Sequence, residues 1–151
     1  MENDDKKNVG ENMASITIFG LPVGKQRART VLRSGKVMSY TPLKTREFEK
    51  KVALCYKIAK QEFFETSPIK AEIRAYFPPT KEQVKKIEKG RLQVANLTCT
   101  KKIDIDNICK SVLDGLNGVA YTDDKQVVQL IATKFYDLVP RVEVQLEVWN
   151  G

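Results

Sequence analysis

Two pairs of carboxylates are the residues whose types and spacing best suit catalysis in this sequence. Asp104 and Asp106 lie two positions apart, just before a segment with helical periodicity, and Asp123 and Asp124 follow that segment. Side chains two positions apart in extended backbone point to the same side. The N-terminus of a helix also favours anionic groups. The sequence therefore predicts that Asp104 and Asp106 present their carboxylates together.

The two pairs are able to meet if the chain returns after the helix. A helix of about twelve residues carries the chain about 18 Å, and residues 118–122 can return about 16 Å when extended. This geometry permits a cluster of four carboxylates but does not require one. Carboxylates at such short separations need a cation between them. Mg²⁺ suits them, because it takes carboxylate oxygens and keeps waters for substrate phosphates. Two such ions about 4 Å apart promote phosphodiester cleavage.

Lys110 adds a cation to the same region. It lies four residues after Asp106 and therefore on the same face of the predicted helix. There it would stabilise charge on a phosphoryl group or protonate a leaving oxygen. An ordinary structural interpretation stays open. Asp106, Lys110 and Asp114 also make a solvated stripe of ion pairs, Asp104 and Asp106 suit helix capping, and residues 123–124 suit a polar turn.

The composition excludes several other chemistries. The 151 residues include no histidine, which excludes Ser-His-Asp and Cys-His mechanisms and imidazole-dependent zinc sites. The sequence has no apolar run of about 18 residues and no signal-peptide core, so a cytoplasmic protein without a membrane partner is expected. The three cysteines form no CxxC pair and are predicted to be reduced structural thiols: Cys55, Cys99 and Cys109.

Positive charge is concentrated in the first two-thirds of the chain. Residues 16–102 carry twenty bases and seven acids, whereas residues 103–151 carry four bases and eight acids. A basic surface attracts the phosphate backbone of nucleic acids. Residues 24–40 contain five bases and no acid. They are predicted to form a flexible loop or loose hairpin that contacts phosphates, with a solvated surface loop as the alternative. The five bases are Lys25, Arg27, Arg29, Arg33 and Lys36.

The elements that must position these residues can be predicted from periodicity and breakers. Strands are expected at residues 16–21, 69–77, 97–100, 127–135 and 141–149, with the last two joined as a hairpin through residues 137–140. Helices are expected at residues 43–65, 81–89 and from 106 or 107 to about 117. The first helix carries an apolar stripe at Phe48, Val52, Cys55, Ala59 and Phe63.

These elements predict a single α/β (α+β) domain over residues 15–151, with a mixed β-sheet and helices packed on it. Residues 1–14 are predicted to be a disordered acidic and polar tail.

The stretch from residue 101 to residue 134 closely resembles the signature of the RusA family of Holliday-junction resolvases. That signature has a D-x-D-N pair, a lysine one helical turn later, a D-x-L-N-G-V-like segment and a D-D-x-Q-V pair. The matching residues are Asp104, Asp106, Asn107, Lys110, Asp114, Leu116, Asn117, Gly118, Val119, Asp123, Asp124, Gln126 and Val127. Family members often have proline before the first aspartate. Here that position is Ile103, a change that affects backbone stiffness and not the metal ligands.

The resemblance implies a RusA-like fold and a small homodimeric endonuclease that depends on Mg²⁺, with Mn²⁺ as a substitute. It implies catalytic carboxylates at Asp104, Asp106 and Asp124, assisted by Lys110, with Asp123 as a further metal ligand. Paired nicks would then resolve four-way junctions during DNA recombination and repair, in a host or prophage setting. Two alternatives stay open: a non-catalytic nucleic-acid-binding protein of the same fold, and a Mg²⁺-dependent hydrolase of nucleotides or RNA.

Overall fold

The computed structural model describes residues 12–95, 97–101 and 103–151. The strands are β1 (Met13–Phe19), β2 (Arg29–Arg33), β3 (Lys36–Tyr40), β4 (Ile69–Phe77), β5 (Val127–Tyr136) and β6 (Arg141–Val148). The helices are α1 (Leu43–Ile58), α2 (Lys81–Glu88) and α3 (Ile105–Leu116), and a single 3₁₀ turn (Asp124–Gln126) precedes β5. None of the helices in these ranges has the length and apolarity that a membrane crossing requires.

Four strands form a mixed sheet in the order β1-β6-β4-β5. Strand β5 runs parallel to β4, and the other neighbours are antiparallel. This arrangement confirms the predicted α+β class with a mixed sheet. Strands β2 and β3 form a separate two-stranded sheet, hereafter the basic hairpin, which confirms the hairpin interpretation over residues 29–40, whereas residues 24–28 lead into it without regular structure.

The predicted hairpin between β5 and β6 is wrong, because β4 lies between these two strands. Their connection crosses the end of β4, where the Asp137 N–H donates to the Phe77 carbonyl at 2.8 Å. The inward side chains of β6 are almost completely buried, including Val142 at 0% and Leu146 at 1% exposed. A strand buried to this extent is best placed between two neighbours, which β1 and β4 provide.

The core lies between one face of the sheet and the helices α1 and α3. Strand β4 alternates as predicted, and its inward residues are at most 4% exposed: Ile69, Ala71, Ile73, Ala75 and Phe77. Helix α3 contributes Ile108, Val112 and Leu116, all at 0% exposed. Cys99 and Cys109 are buried and Cys55 is half-buried, and all three thiols are free. Burial raises the pKa of Cys109 to about 11.

Helix α1 ends earlier than the sequence predicts. It stops at Ile58, and Lys60 has a positive φ of 49°. The left-handed backbone at Lys60 ends the helix, and farther along the Phe64 N–H donates to the Ala120 carbonyl at 2.8 Å. As a result Phe64 is buried and Phe63 is 44% exposed. The predicted stripe is therefore correct at its start and wrong at its end, and the buried residues of α1 are Thr45, Phe48, Val52 and Tyr56.

The boundaries of several smaller elements also differ from the predictions. Residues 13 and 14 belong to β1 and not to a tail, since Ala14 pairs with Leu146 and is 3% exposed. The rest of the predicted tail, residues 1–11, lies outside the described residues. The strand expected at residues 97–100 is reduced to one bridge between Thr98 and Phe135. Helix α2 begins as predicted, with Thr80 in a capping box.

Helices α1 and α3 approach closely where α3 carries a glycine. A Cβ on Gly115 would lie 2.9 Å from the Glu49 carbonyl oxygen and 2.9 Å from Val52 Cβ. One of these contacts is backbone, which cannot rotate away. Gly115 therefore sets how closely the two helices pack.

We expect Gly115→Ala to lower the free energy of unfolding by about 1–3 kcal/mol, because the added methyl overpacks the contact between the helices. Helix propensity alone predicts the opposite, since alanine is favoured over glycine by about 1 kcal/mol. Urea denaturation measures the difference, with Lys50→Ala on the exposed face of α1 as the control. A Gly115→Ala protein as stable as the unmodified protein would show that the helices are not in contact at this point.

Candidate active site

The chain that enters the basic hairpin is fixed to α3. The Ser111 hydroxyl, which is fully buried, donates to the Val23 carbonyl at 2.6 Å. Two residues later, the Lys25 N–H donates to the Asn107 carbonyl at 2.8 Å. Residues 23–25 therefore run along α3, and the basic hairpin that follows starts from a fixed position beside its first turns.

The Lys25 side chain ties this same segment to both helices. Its ammonium lies 2.5 Å from Glu49 Oε1 and 3.0 Å from Asp114 Oδ2. Burial alone would lower the pKa of Lys25, but the hydrogen bonds to Glu49 and Asp114 outweigh it and the pKa is raised. The sequence predicts Lys25 as a DNA contact. The structure instead places its charge between two carboxylates of the protein itself.

The first carboxylate pair, Asp104 and Asp106, lies at the N-terminus of α3. Asp104 is the N-cap residue, but its side chain accepts no capping hydrogen bond. The helix begins at Ile105, so Asp106 belongs to its first turn and not to the extended backbone that the sequence predicts for this pair. Both carboxylates are exposed, and no described residue forms a salt bridge with either one.

This pair lines an open cleft of about 450 Å³ beside the second half of β5. Lys134 also lines the cleft, and its ammonium donates to the Lys101 and Ile103 carbonyls at 2.7 and 2.8 Å. Lys134 therefore holds the segment that leads into α3. Sequence reasoning misses this residue, because a lone lysine in an apolar strand carries no motif.

The second carboxylate group, Asp114, Asp123 and Asp124, lies at the C-terminal end of α3. The Asp124 N–H donates to Asn117 Oδ1 at 3.0 Å, and the Asp123 carboxylate accepts from the Lys125 N–H at 2.9 Å. That backbone N–H lowers the pKa of Asp123. Partial burial, followed by the neighbouring Asp123 and Asp114 carboxylates, raises the pKa of Asp124. The ionised form of Asp124 is therefore less favoured than that of a free aspartate, and a nearby cation would favour it.

Gln126 holds the turn of the second group in place through four hydrogen bonds. Its Oε1 accepts hydrogen bonds from the Thr122 and Asp123 N–H groups at 3.0 and 3.1 Å. Its Nε2 donates to the Phe64 and Ser67 carbonyls at 2.9 and 3.2 Å. The glutamine of the D-D-x-Q motif thus joins the acidic turn to the loop after α1.

One chain does not bring the two carboxylate sets together. Helix α3 has 12 residues, which span about 18 Å. The returning segment is not extended, because the Val119 and Ala120 N–H groups bond back to the Leu116 carbonyl at 3.1 and 2.9 Å. Over the described ranges, no three carboxylate or thiol side chains lie close enough to share a metal ion. The four-carboxylate cluster that the sequence permits is therefore absent from the described part of a single chain.

Each set taken separately has donors that suit Mg²⁺. Mg²⁺ is usually bound by one or two carboxylates together with waters and substrate phosphates. Asp104 and Asp106 offer two solvent-facing carboxylates at an open cleft. Lys110 is exposed between the sets, one helical turn after Asp106 and one before Asp114. The ligands of each set thus suit Mg²⁺. The site predicted from the sequence combines both sets, which one chain does not bring together.

The basic hairpin presents most of the remaining predicted DNA contacts. Its turn is Ser34-Gly35, with φ values of 51° and 74°, as in the type I′ turns that suit two-residue hairpins. Arg33 pairs with Lys36 on either side of this turn. Arg29 lies on the same face as Arg33, four residues along the strand. These side chains and that of Arg27 are exposed.

A family model described as "Endodeoxyribonuclease RusA" matches residues 20–147 of this chain. The match includes the basic hairpin, α1, α3 and both carboxylate sets. The chain is also similar to "Uncharacterized protein YqaN" of Bacillus subtilis (strain 168). The two are 38% identical over 137 residues, which cover 87% of this chain and 93% of the relative.

We expect Lys25→Met to lower the free energy of unfolding by about 1 kcal/mol, because it leaves two half-buried carboxylates without their cation. Since the pKa of Lys25 is raised, its contribution is fully present at neutral pH and is lost only as the pH rises above its ordinary value of 10.5. Urea denaturation at pH 7 measures the change.

Arg27→Met is the matched control, because Arg27 is exposed and forms no salt bridge with a described residue. Its stability should stay within about 0.5 kcal/mol of the unmodified protein. Equal stabilities of the two variants would contradict a structural role for Lys25.

Proposed function

The chain belongs to the RusA endodeoxyribonuclease family, and on that premise we propose that it nicks branched DNA and prefers four-way junctions. One observation carries the proposal. The exposed carboxylates Asp104 and Asp106 lie on the same turns of α3 to which the segment leading into the basic hairpin is bonded. A surface that attracts phosphates is thereby held in a fixed relation to groups that can act on a phosphodiester.

In this proposal the basic hairpin and the segment that leads into it bind the DNA. Arg27, Arg29, Arg33 and Lys36 contact the DNA backbone, and the release of counterions supplies much of the affinity. Phosphate contacts fix orientation without reading bases, so selectivity for a junction comes from the shape of the DNA.

Residues on α3 and in the turn that follows it carry out cleavage in this proposal. We propose that Asp104, Asp106 and Asp124, with Asp123, hold Mg²⁺, for which Mn²⁺ would substitute. A bound ion would neutralise phosphoryl charge and supply an activated water for hydrolysis. Lys110, on the same helix face as Asp106, stabilises negative charge on the phosphoryl group or protonates the leaving oxygen. The fixed position of α3 supplies the orientation that this chemistry needs.

A homodimer would bring together the two carboxylate sets that lie apart in a single chain. Strand β5 is at the edge of the sheet, and its first half exposes Val128 at 56%, Leu130 at 42% and Ile131 at 40%. The second half of this edge is already bonded, with the Cys99 N–H donating to the Lys134 carbonyl at 3.0 Å. An exposed apolar edge strand favours pairing with another chain. We therefore propose that two copies pair through the first half of β5.

Two-fold pairing of this kind brings the carboxylate sets of two chains together. The N-terminus of α3 lies beside the second half of β5, and its C-terminus lies beside the turn that precedes β5. Antiparallel pairing sets the start of one β5 beside the later part of the other. Asp104 and Asp106 of one chain then approach the partner's Asp124. The symmetry gives two such sites, as paired nicks require.

We expect Asp106→Asn to slow junction nicking at least about 100-fold, because it removes a carboxylate from the metal site. Junction binding should be retained, since the basic hairpin is unchanged. The assay compares labelled four-way junction, linear duplex, RNA and nucleotides with and without Mg²⁺, and Glu88→Gln on exposed α2 is the control.

Each alternative function has its own outcome in this assay. Equal cutting of linear duplex would leave a nuclease without junction selectivity. Binding with no Mg²⁺-dependent product would indicate a non-catalytic nucleic-acid-binding protein. Hydrolysis of RNA or nucleotides without branched DNA would indicate a Mg²⁺-dependent hydrolase of those substrates.

We expect Arg27→Gln/Arg29→Gln to weaken junction binding and to reduce the slope of log affinity against log salt by about 2, or about 1 per lost phosphate contact. Lys81→Gln/Lys85→Gln removes the same charge from α2, which buries no residue, and should leave the slope unchanged. Binding measured between about 50 and 200 mM salt gives both slopes. Equal slopes for the two double variants would exclude Arg27 and Arg29 from the interface.

A further inference from the structure

The basic hairpin has two faces: one carries all of its bases together with the exposed Met38 and Tyr40, and the other carries no charge. Leu32 and Val37 are paired across the two strands next to the turn, and they are 73% and 74% exposed. Directly opposite residues in an antiparallel pair share one face, and neighbours along a strand alternate. Leu32 and Val37 therefore point away from the face that carries Arg33 and Lys36.

These two side chains have no role in the fold. Strands β2 and β3 hydrogen-bond only to each other among the described strands, and neither residue belongs to the core. An isolated two-stranded hairpin is marginally stable in water and does not need a fully exposed leucine-valine pair at its end. Large apolar side chains this exposed on a projecting element mark a contact with another molecule.

The surrounding charge identifies the class of that molecule. The basic hairpin carries Arg29, Arg33 and Lys36 and no acid, so the element that carries Leu32 and Val37 is attracted to a polyanion. Proteins that bend or open DNA insert apolar side chains between stacked bases while basic groups hold the neighbouring phosphates. Leu32 and Val37 at the end of the hairpin provide the apolar side chains, and Arg33 and Lys36 beside them provide the basic groups.

We propose that Leu32 and Val37 enter the base stack at the branch point of a DNA junction, while Arg33 and Lys36 hold the flanking phosphates. This inference rests on the proposed function and names the residues that select the substrate. Separating stacked bases costs a few kcal/mol per step, and least where pairing is already disturbed. A branch point is therefore easier to enter than a linear duplex, which gives a preference for junctions without base-specific contacts.

Opening of the branch point can be measured apart from cleavage. Junctions with 2-aminopurine beside the branch point are titrated with protein in the absence of divalent metal, and unstacking appears as a rise in fluorescence. We expect this rise with the unmodified protein and its loss with Leu32→Thr/Val37→Thr, at an affinity that falls less than about tenfold, because the phosphate contacts supply most of the binding. Threonine keeps the β-propensity of both positions.

Two further variants make the comparison specific. Leu138→Thr/Val139→Thr changes an equally apolar pair in the connection between β5 and β6, where the side chains are 57% and 51% exposed. This control should open the junction as the unmodified protein does. Leu32→Phe keeps a large apolar side chain on the hairpin and should also open it.

Nicking with Mg²⁺ then tests whether opening matters for the reaction. Leu32→Thr/Val37→Thr should nick a fully paired junction at least about tenfold more slowly, since entry into the stack is lost. On a junction with mismatched bases at the branch point it should nick within about twofold of the unmodified protein, because the bases are already separated.

The inference is overturned if the double variant opens the branch point like the unmodified protein, or if it is slowed equally on paired and mismatched junctions. The proposed function fails separately: an unmodified protein that opens junctions but cuts nothing supports the role of Leu32 and Val37 and contradicts the nuclease. A protein that cuts junctions without opening them contradicts only the role of Leu32 and Val37. A protein that binds no junction contradicts both.

Discussion

The length of α3 is the constraint on which the functional geometry depends. This helix places Asp104 and Asp106 at one end and the group formed by Asp114, Asp123 and Asp124 at the other. Twelve residues of helix form a rigid rod of about 18 Å, and the tight turn after Leu116 keeps the second group at the far end. Helix geometry and backbone hydrogen bonds therefore hold the two acidic sets at opposite ends of α3, and no three of their carboxylates lie close enough to share a metal ion within the described residues.

The contacts around α3 hold this rod in place and connect it to the basic hairpin. Gly115 allows α1 to approach closely, and Lys25 neutralises carboxylates from both helices. The same segment that supplies Lys25 also leads into the basic hairpin. Within this short stretch Lys25 is paired with carboxylates of the fold, whereas Arg27, Arg29 and the hairpin beyond them are exposed. The sequence shows only that the stretch is rich in bases, and the structure separates the base that stabilises the fold from those that are free to contact a ligand.

The sequence predicts the elements of this fold better than their partners. Alternation along β4 and β6 identifies both strands and their buried faces, because those side chains cover a core with period two. Nothing in that pattern shows that β4 lies between β5 and β6. Periodicity likewise starts α1 correctly but misses its end, because the left-handed backbone at Lys60 ends the helix and carries no signal in the apolar stripe. The acidic motif predicts candidate catalytic residues, but the return path after α3 depends on a local turn that spacing alone leaves undetermined.

The central claim is that the two acidic sets act together only across two chains, and mixed dimers test it most directly. One chain carries Asp106→Asn and the other Asp124→Asn, and the mixed species is isolated with two different affinity tags. If each site combines Asp104 and Asp106 of one chain with the partner's Asp124, both substitutions fall in the same site and the other site stays intact. The account predicts that this dimer makes single nicks in a four-way junction, while either variant alone makes none. A mixed dimer with no nicking activity would contradict the account.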